Sequence, residues 1–328
     1  MKIFGWQADF AGCAWYRIVL PLGALRQQGT HADWGNKMLE RHWDYDVVVA
    51  QRTCLPKPTA VFQRLAQTSS KRPKLVYELD DDLLNLDPAN RAAGFFNDPQ
   101  IQQNILANVR AADLVTVSTE PLAERIRKYN PKVAVLPNCI PRDLLNWQPG
   151  RHLDRVTIGW QGSPTHDGDW ASAALPIGRW FNGAKKRGAP VEFHTVGALP
   201  VTFPKLFPHR VSAWREQLEY YHMLDWHIAV GPLARSIFND SKSDLRLLEA
   251  GALGFPVVAS NVTAYRDYVE HGETGFLVDK PAEWGRYLQI LVDDPELREK
   301  MGQAGRDLAS TRTVEDNAPR WLEAYSGA

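Results

Sequence analysis

The 328-residue chain is 44% hydrophobic and balances 38 Lys and Arg against 38 Asp and Glu, for a formal net charge of zero. This ordinary globular composition excludes a global basic field for nucleic acid or anionic membrane, leaves a local basic groove open, and at this length points to two domains. The three cysteines, Cys13, Cys54 and Cys139, have neither disulfide-framework nor zinc-site spacing, which predicts reduced thiols in a cytoplasmic protein.

The opening MKIFGWQA lacks a long apolar core and reads as a first strand, not a targeting signal. No run of about 18 apolar residues offers a membrane span. The next segment, DFAGCAWYRIVLPLGAL (9–25), contains Gly12, which allows close backbone approach. Tyr16 and Arg17 begin a helix whose first turns Pro21 makes irregular. Arg17 is either a ligand for an anionic group or a surface arginine.

Strands follow at DVVVAQ (46–51), KLVYEL (74–79), LVTVS (114–118) and VAVLPN (133–138), separated by amphipathic stretches at 59–68, 100–111 and 121–129. This rhythm predicts a parallel sheet covered by helices, a Rossmann-like domain over 1–148. The third strand ends in Asp80, Asp81 and Asp82. Carboxylates there invite acid–base or metal chemistry, or else cap the next helix. Thr119 and Asn138 stand at strand ends and read as architecture.

Residues 139–154, rich in Pro, Gly and charge, read as a linker, and a second α/β pattern runs over 149–308. Its strands are VTIGWQG (156–162), VEFHTVG (191–197), WHIAVGPL (226–233), PVVAS (256–260) and GFLVD (275–279), with helices near 170–187 and 214–224. Gly162 and Ser163, between the first strand and a helix, suit close approach to a phosphate. His166 is either a ligand contact or a buried structural histidine. The remainder, 283–325, is helical with a break near 310–313, and the last segment, 309–328, forms a C-terminal helix that can return to the first domain.

The stretch FNDSKSDLRLLEAGALGFPVVAS (238–260) carries the most chemistry. Asn239, Asp240 or Ser241 can cap a helix, and Ser241 with Asp244 has capping-box spacing. Lys242 and Ser243 then sit at a helix N-terminus, where free N–H groups and the helix dipole favour an anion. Glu249 lies seven residues on, about 10 Å along the axis on almost the same face. That span suits a diphosphate at the mouth and a ribose diol deeper in. The competing reading is a solvated lysine and a surface glutamate.

EAGALGFPVVAS and the following YRDYVEHGETGFLVD resemble the C-terminal half of the retaining GT-B glycosyltransferases, the family-4 group, also called glycosyl transferases group 1. The match covers Glu249–Ser260 and His271–Val278. The resemblance implies a GT-B fold, two Rossmann-like doubly wound domains facing each other across a cleft. It also implies transfer from a nucleotide-diphosphate sugar, UDP- or GDP-linked, with retention of configuration and without a metal or other cofactor. Gly162, Ser163 and His166 (in GWQGSPTHDGD), with Ser241, Lys242, Ser243 and Glu249, would hold the donor. Ser241 stands where the family has a glutamate that contacts the transferred sugar. Gly12, Tyr16 and Arg17 would lie on the acceptor side, and Asp80 or Asp81 would face the reacting sugar beside Lys242. Trp214, near the expected nucleobase position, either stacks or packs. The acceptor is left open between a glycan, a small molecule and a hydroxylated DNA base. The last would need a basic rim from residues such as Arg17, Arg52, Lys71, Arg72 and Lys74. A non-catalytic nucleotide-binding protein is the alternative from another class.

Overall fold

The computed structural model describes residues 1–68, 72–88, 90–197, 206–213 and 217–327. The first half contains strands β1 (Lys2–Trp6), β2 (His31–Gly35), β3 (Val47–Gln51), β4 (Lys74–Leu79), β5 (Leu114–Val117) and β6 (Val133–Val135). The second contains β7 (Val156–Gly162), β8 (Val191–Gly197), β9 (Arg210–Ser212), β10 (Ile228–Gly231), β11 (Val257–Ser260) and β12 (Gly275–Val278). The sheets run β2-β1-β3-β4-β5-β6 and β12-β11-β10-β7-β8-β9, with the strand pairs parallel.

Central strands are apolar runs because helices cover both faces. All of Val47–Gln51 and Ile228–Gly231 is buried. The sequence reading omitted two edge strands. HADWG of β2 has an alternation weakened by Asp33, and β9 has only three residues.

Both sheets change winding direction at their first strand. β1 lies between β2 and β3, and β7 lies between β10 and β8. Crevices at the carboxyl ends of such strands are where open α/β sheets place ligands. Gly12 follows β1, Arg52 follows β3, Asp80 follows β4, and Gly162 closes β7.

The chain crosses back at its end. The Val314–Ser326 helix buries Val314, Ala318, Trp321 and Tyr325 in one apolar cluster with Ile3, Ile18 and Leu22 of the first sheet's layer. The β-bridge between Ile140 and Thr313 ties the two crossing segments together. Arg312 grips both domains: it donates to the Asn138 carbonyl and forks onto both carboxylate oxygens of Asp244.

Candidate functional site

A cavity of about 680 Å³ lies between the two sheets. Gly12, Tyr16, Asp80 and Asp81 line it from the first domain, and Gly162, Ser163, His166, Lys242, Ser243 and Glu249 line it from the second.

Tyr16 reaches the cavity from a widened turn. Pro21 has no N–H to give the Arg17 carbonyl, so α-helical bonding cannot run through this turn. Trp15–Val19 is a π-helix, with the Leu20 N–H donating to the Trp15 carbonyl. The Tyr16 hydroxyl contacts both the Tyr221 hydroxyl and the Glu249 carboxylate.

Glu249 is buried in the Leu245–Ala252 helix. Besides Tyr16 it accepts from the Tyr220 hydroxyl at 3.2 Å and Gln161 Nε2 at 3.3 Å. Burial raises its pKa, and the three donors, Tyr16 first, act against that rise. It is a cavity-wall carboxylate, not a surface one. Gly254, in the left-handed region at φ +70°, lets the chain turn out of this helix into Phe255-Pro256 and β11.

The helix begins later than the spacing suggested. Asn239–Ser241 is a separate 3-10 turn, Lys242 is extended at ψ 153°, and the helix starts at Leu245. The Ser241/Asp244 capping box is therefore a correction: it does not form, because the Asp244 carboxylate is engaged by Arg312. Lys242 and Ser243 stand just ahead of the helix instead of in its first turn. Lys242 Nζ donates to Asp81 Oδ1 at 3.1 Å and sits 4.5 Å from the Phe238 ring centroid. Burial works against the ammonium, but Asp81 more than offsets it, so the pKa rises and Lys242 stays charged. Ser243 Oγ accepts from Asn138 Nδ2 at 2.8 Å.

Arg246 was not singled out from the sequence. It lines the same cavity, lies 5.6 Å from the Trp160 ring centroid and donates to the Tyr265 hydroxyl at 3.4 Å. Among the described residues it has no carboxylate partner. Its signal was present: a second cation one turn after Ser243. Gly162 makes room for this arrangement. A Cβ there would lie 2.5 Å from the Trp160 ring and 3.3 Å from Arg246.

His166 Nδ1 is 2.7 Å from Asp169 Oδ2. Burial and then Arg246 push the imidazole down to about 4, so it is neutral near pH 7. The Asp169 carboxylate accepts, so Nδ1 carries the hydrogen and Nε2 remains an acceptor. The fixed histidine therefore also has a structural part.

The three aspartates divide their work. Asp81 pairs with Lys242, whereas buried Asp82 pairs with Arg125 at 2.8 Å and accepts from Asn85. Asp80 lines the cavity near Cys13, whose thiol is raised by burial and then by Asp80.

Other expectations are corrected. Arg17 is fully buried, 2.7 Å from Glu78, and does not line the cavity, because the π turn aims Tyr16 outward and Arg17 into the core. Ser241 is buried at the domain seam, where its carbonyl accepts from Thr119 Oγ1 at 2.7 Å, and it also does not line the cavity. Among the described residues the basic rim does not assemble. Lys74 starts β4, at the opposite end from Asp80, Arg72 is paired with Asp113 just before it, and Arg52 is paired with Asp9. Lys71 and Trp214 lie outside the described residues.

Two parallel six-stranded Rossmann-like sheets with a shared cleft define the GT-B class. Residues 245–308 match the family model "Glycosyl transferases group 1", a span containing both motif stretches. The resemblance to that group is shown over this span. The D-inositol 3-phosphate glycosyltransferase of Paenarthrobacter aurescens is 34% identical over 108 residues, 32% of this chain and 26% of its own length. Its counterpart in Arthrobacter sp. is 41% identical over 83 residues, covering 25% of this chain and 20% of that protein. The chain thus spans about a quarter of the length of these curated relatives. The HepE protein of Anabaena, solved in complex with UDP-glucose, superposes with a TM-score of 0.69 at 16% identity, covering 100% of both chains. WaaG, a glycosyltransferase involved in lipopolysaccharide biosynthesis, gives 0.67 at 14% identity, again over 100% of both chains. These likenesses fix the fold.

Proposed function

We propose that the protein is a retaining, metal-independent glycosyltransferase that moves a sugar from a nucleotide-diphosphate donor, UDP-linked in the first instance, to an acceptor hydroxyl. The observation that carries this reading is the convergence of Lys242, Ser243 and Arg246 around the start of one helix whose Glu249 lines the same cavity. HepE is solved with UDP-glucose, which supports the choice of nucleotide.

The diphosphate would lie against Ser243, Arg246 and the free N–H groups at the start of the Leu245–Ala252 helix, with Lys242 beside the leaving oxygen. The ribose diol would donate to Glu249, replacing hydroxyl donors such as Tyr16. The acceptor oxygen attacks the anomeric carbon on the face from which the diphosphate leaves. Its proton passes to the departing phosphate, and two fixed cations stabilise the developing charge. Asp80 and Asp81 face this region from the first domain, Asp81 keeping Lys242 charged and aimed. The cations do the electrostatic work that a metal performs in other transferases.

UDP binding by calorimetry is the direct test, with UDP-sugar turnover as the second readout. Lys242→Ala should lower kcat by about 10²–10³-fold, and Glu249→Ala should weaken UDP. Unchanged UDP affinity and turnover in both variants would remove this site assignment. UDP binding without turnover in the wild type would leave the non-catalytic alternative standing.

A further inference from the structure

The cavity is electrically and chemically lopsided. At the second-domain end Arg246 carries a positive charge with no carboxylate partner among the described residues. Toward the first domain, the cations at or beside the cavity among the described residues are paired. Lys242 meets Asp81, Arg52 meets Asp9, and Arg91, between the lining residues Asn90 and Ala92, meets Asp167. Asp80 lines that side and forms no ion pair among the described residues. Arg52 is shared between Asp9 and Asp80, whose charges both favour its guanidinium, so two carboxylates face one cation there and the excess is negative at this end and, at Arg246, positive at the other.

The negative end also has an apolar wall. Leu83, Leu86, Ala92 and Phe96 line the cavity there, together with Phe238 from the other domain. Leu83, Leu86 and Phe238 belong to one buried cluster, against which Ala92 and Phe96 are half-buried. Asp82 with Asn85 and Arg125, and Asn90 with the Ala92 N–H, hold this segment in place.

We propose that this end is the acceptor subsite and that it takes a neutral hydroxyl compound with an apolar face, such as a glycoside with an apolar aglycone. The proposal rests on the glycosyltransferase reading and specifies its acceptor class. An anionic acceptor would lose its hydration beside Asp80 with no unpaired cation to replace it. A neutral ring would cover Leu86 and Phe96 and place a hydroxyl near Asp80. The inositol phosphate named in the curated relatives is thereby disfavoured here, and the family-model match, residues 245–308, includes none of the residues that form this wall.

The test is calorimetry on the full chain saturated with UDP, using three probes: phenyl β-D-glucoside, glucose 6-phosphate and a DNA duplex containing hydroxymethylcytosine. The phenyl glucoside should bind at least about tenfold more tightly than glucose 6-phosphate, the factor expected from covering part of one aromatic face. Phe96→Ala should erase that preference and Phe96→Leu should restore most of it, while UDP affinity stays unchanged in both. Tighter binding of glucose 6-phosphate or the duplex overturns the proposal. So does a phenyl glucoside that fails to bind, or a preference that survives in Phe96→Ala. Failure of UDP itself to bind is a different result, one that removes the donor reading and the acceptor proposal with it.

Discussion

Replacing Arg17 by Met separates a structural arginine from a ligand-binding one. The Arg17 guanidinium is fully buried, and Nε lies 2.7 Å from Glu78 Oε1. One terminal nitrogen donates to the Leu136 carbonyl at 2.6 Å and to Asn138 Oδ1 at 2.9 Å. Glu78 is as deeply buried and also accepts from Thr116 Oγ1. Removing the cation alone leaves that carboxylate with one hydroxyl donor, a one-sided break of a buried pair that costs about 3–5 kcal/mol. Against a typical total of about 5–15 kcal/mol this is a large fraction. Urea unfolding followed by tryptophan fluorescence should show the loss in Arg17→Met, and Arg17→Met with Glu78→Leu should recover most of it. UDP affinity of the folded fraction should change by less than about threefold, because Arg17 does not line the cavity and its hydrogen-bonded link to the donor side runs through Asn138, itself bonded to Ser243. An Arg17→Met variant that unfolds like wild type yet loses substrate binding would refute the structural assignment.

Arg246→Ala should weaken UDP by about 10–100-fold, the value of a charged hydrogen bond of about 1.5–3 kcal/mol, with little change in the urea midpoint. Gly162→Ala should destabilise by about 1–3 kcal/mol, since its Cβ would sit 2.5 Å from the buried Trp160 ring, and should weaken UDP as Arg246 is displaced. His166 and His227 are both pushed down to about 4. Each contributes stability that is fully present above the unfolded value near 6.5 and is lost as pH falls from there toward 4, about 3 kcal/mol at most for His166. Glu78 and Glu249, both raised by burial, pull the other way as they protonate. Urea midpoints at pH 7 and 4.5 should therefore fall less in His166→Gln than in wild type, and an equal fall would refute the buried neutral imidazole.

The fold was legible because buried parallel strands are written as continuous β-branched runs, as in VVVAQ and GFPVVAS. The two strands that escaped, His31–Gly35 and Arg210–Ser212, are at sheet edges, where one side pairs with nothing and the pattern is under less constraint. Within the site, residues before and after the Leu245–Ala252 helix could be located from local spacing, but what each one faces could not. Ser241 and Lys242 are neighbours in sequence, yet one is buried against Thr119 and the other points at Asp81. The difference arises because the chain leaves a 3-10 turn at Ser241 and is extended at Lys242. Tyr16 and Arg17 diverge in the same way at the π turn that Pro21 imposes. In both pairs the sequence shows that helical geometry is disturbed, but only the partner across the cleft decides which side chain enters the cavity. Arg125 makes the same point from afar: it looks like a surface charge on a helix, and it holds Asp82 of the first domain while donating to the Ile237 carbonyl of the second. Contacts of this kind join residues more than a hundred positions apart, and no local pattern encodes them. The Lys242–Glu249 part of the donor end was readable because those residues lie within eight positions of one another, though Arg246 between them was not. The acceptor end was not, because its wall is assembled from Leu83, Leu86, Ala92, Phe96 and Phe238.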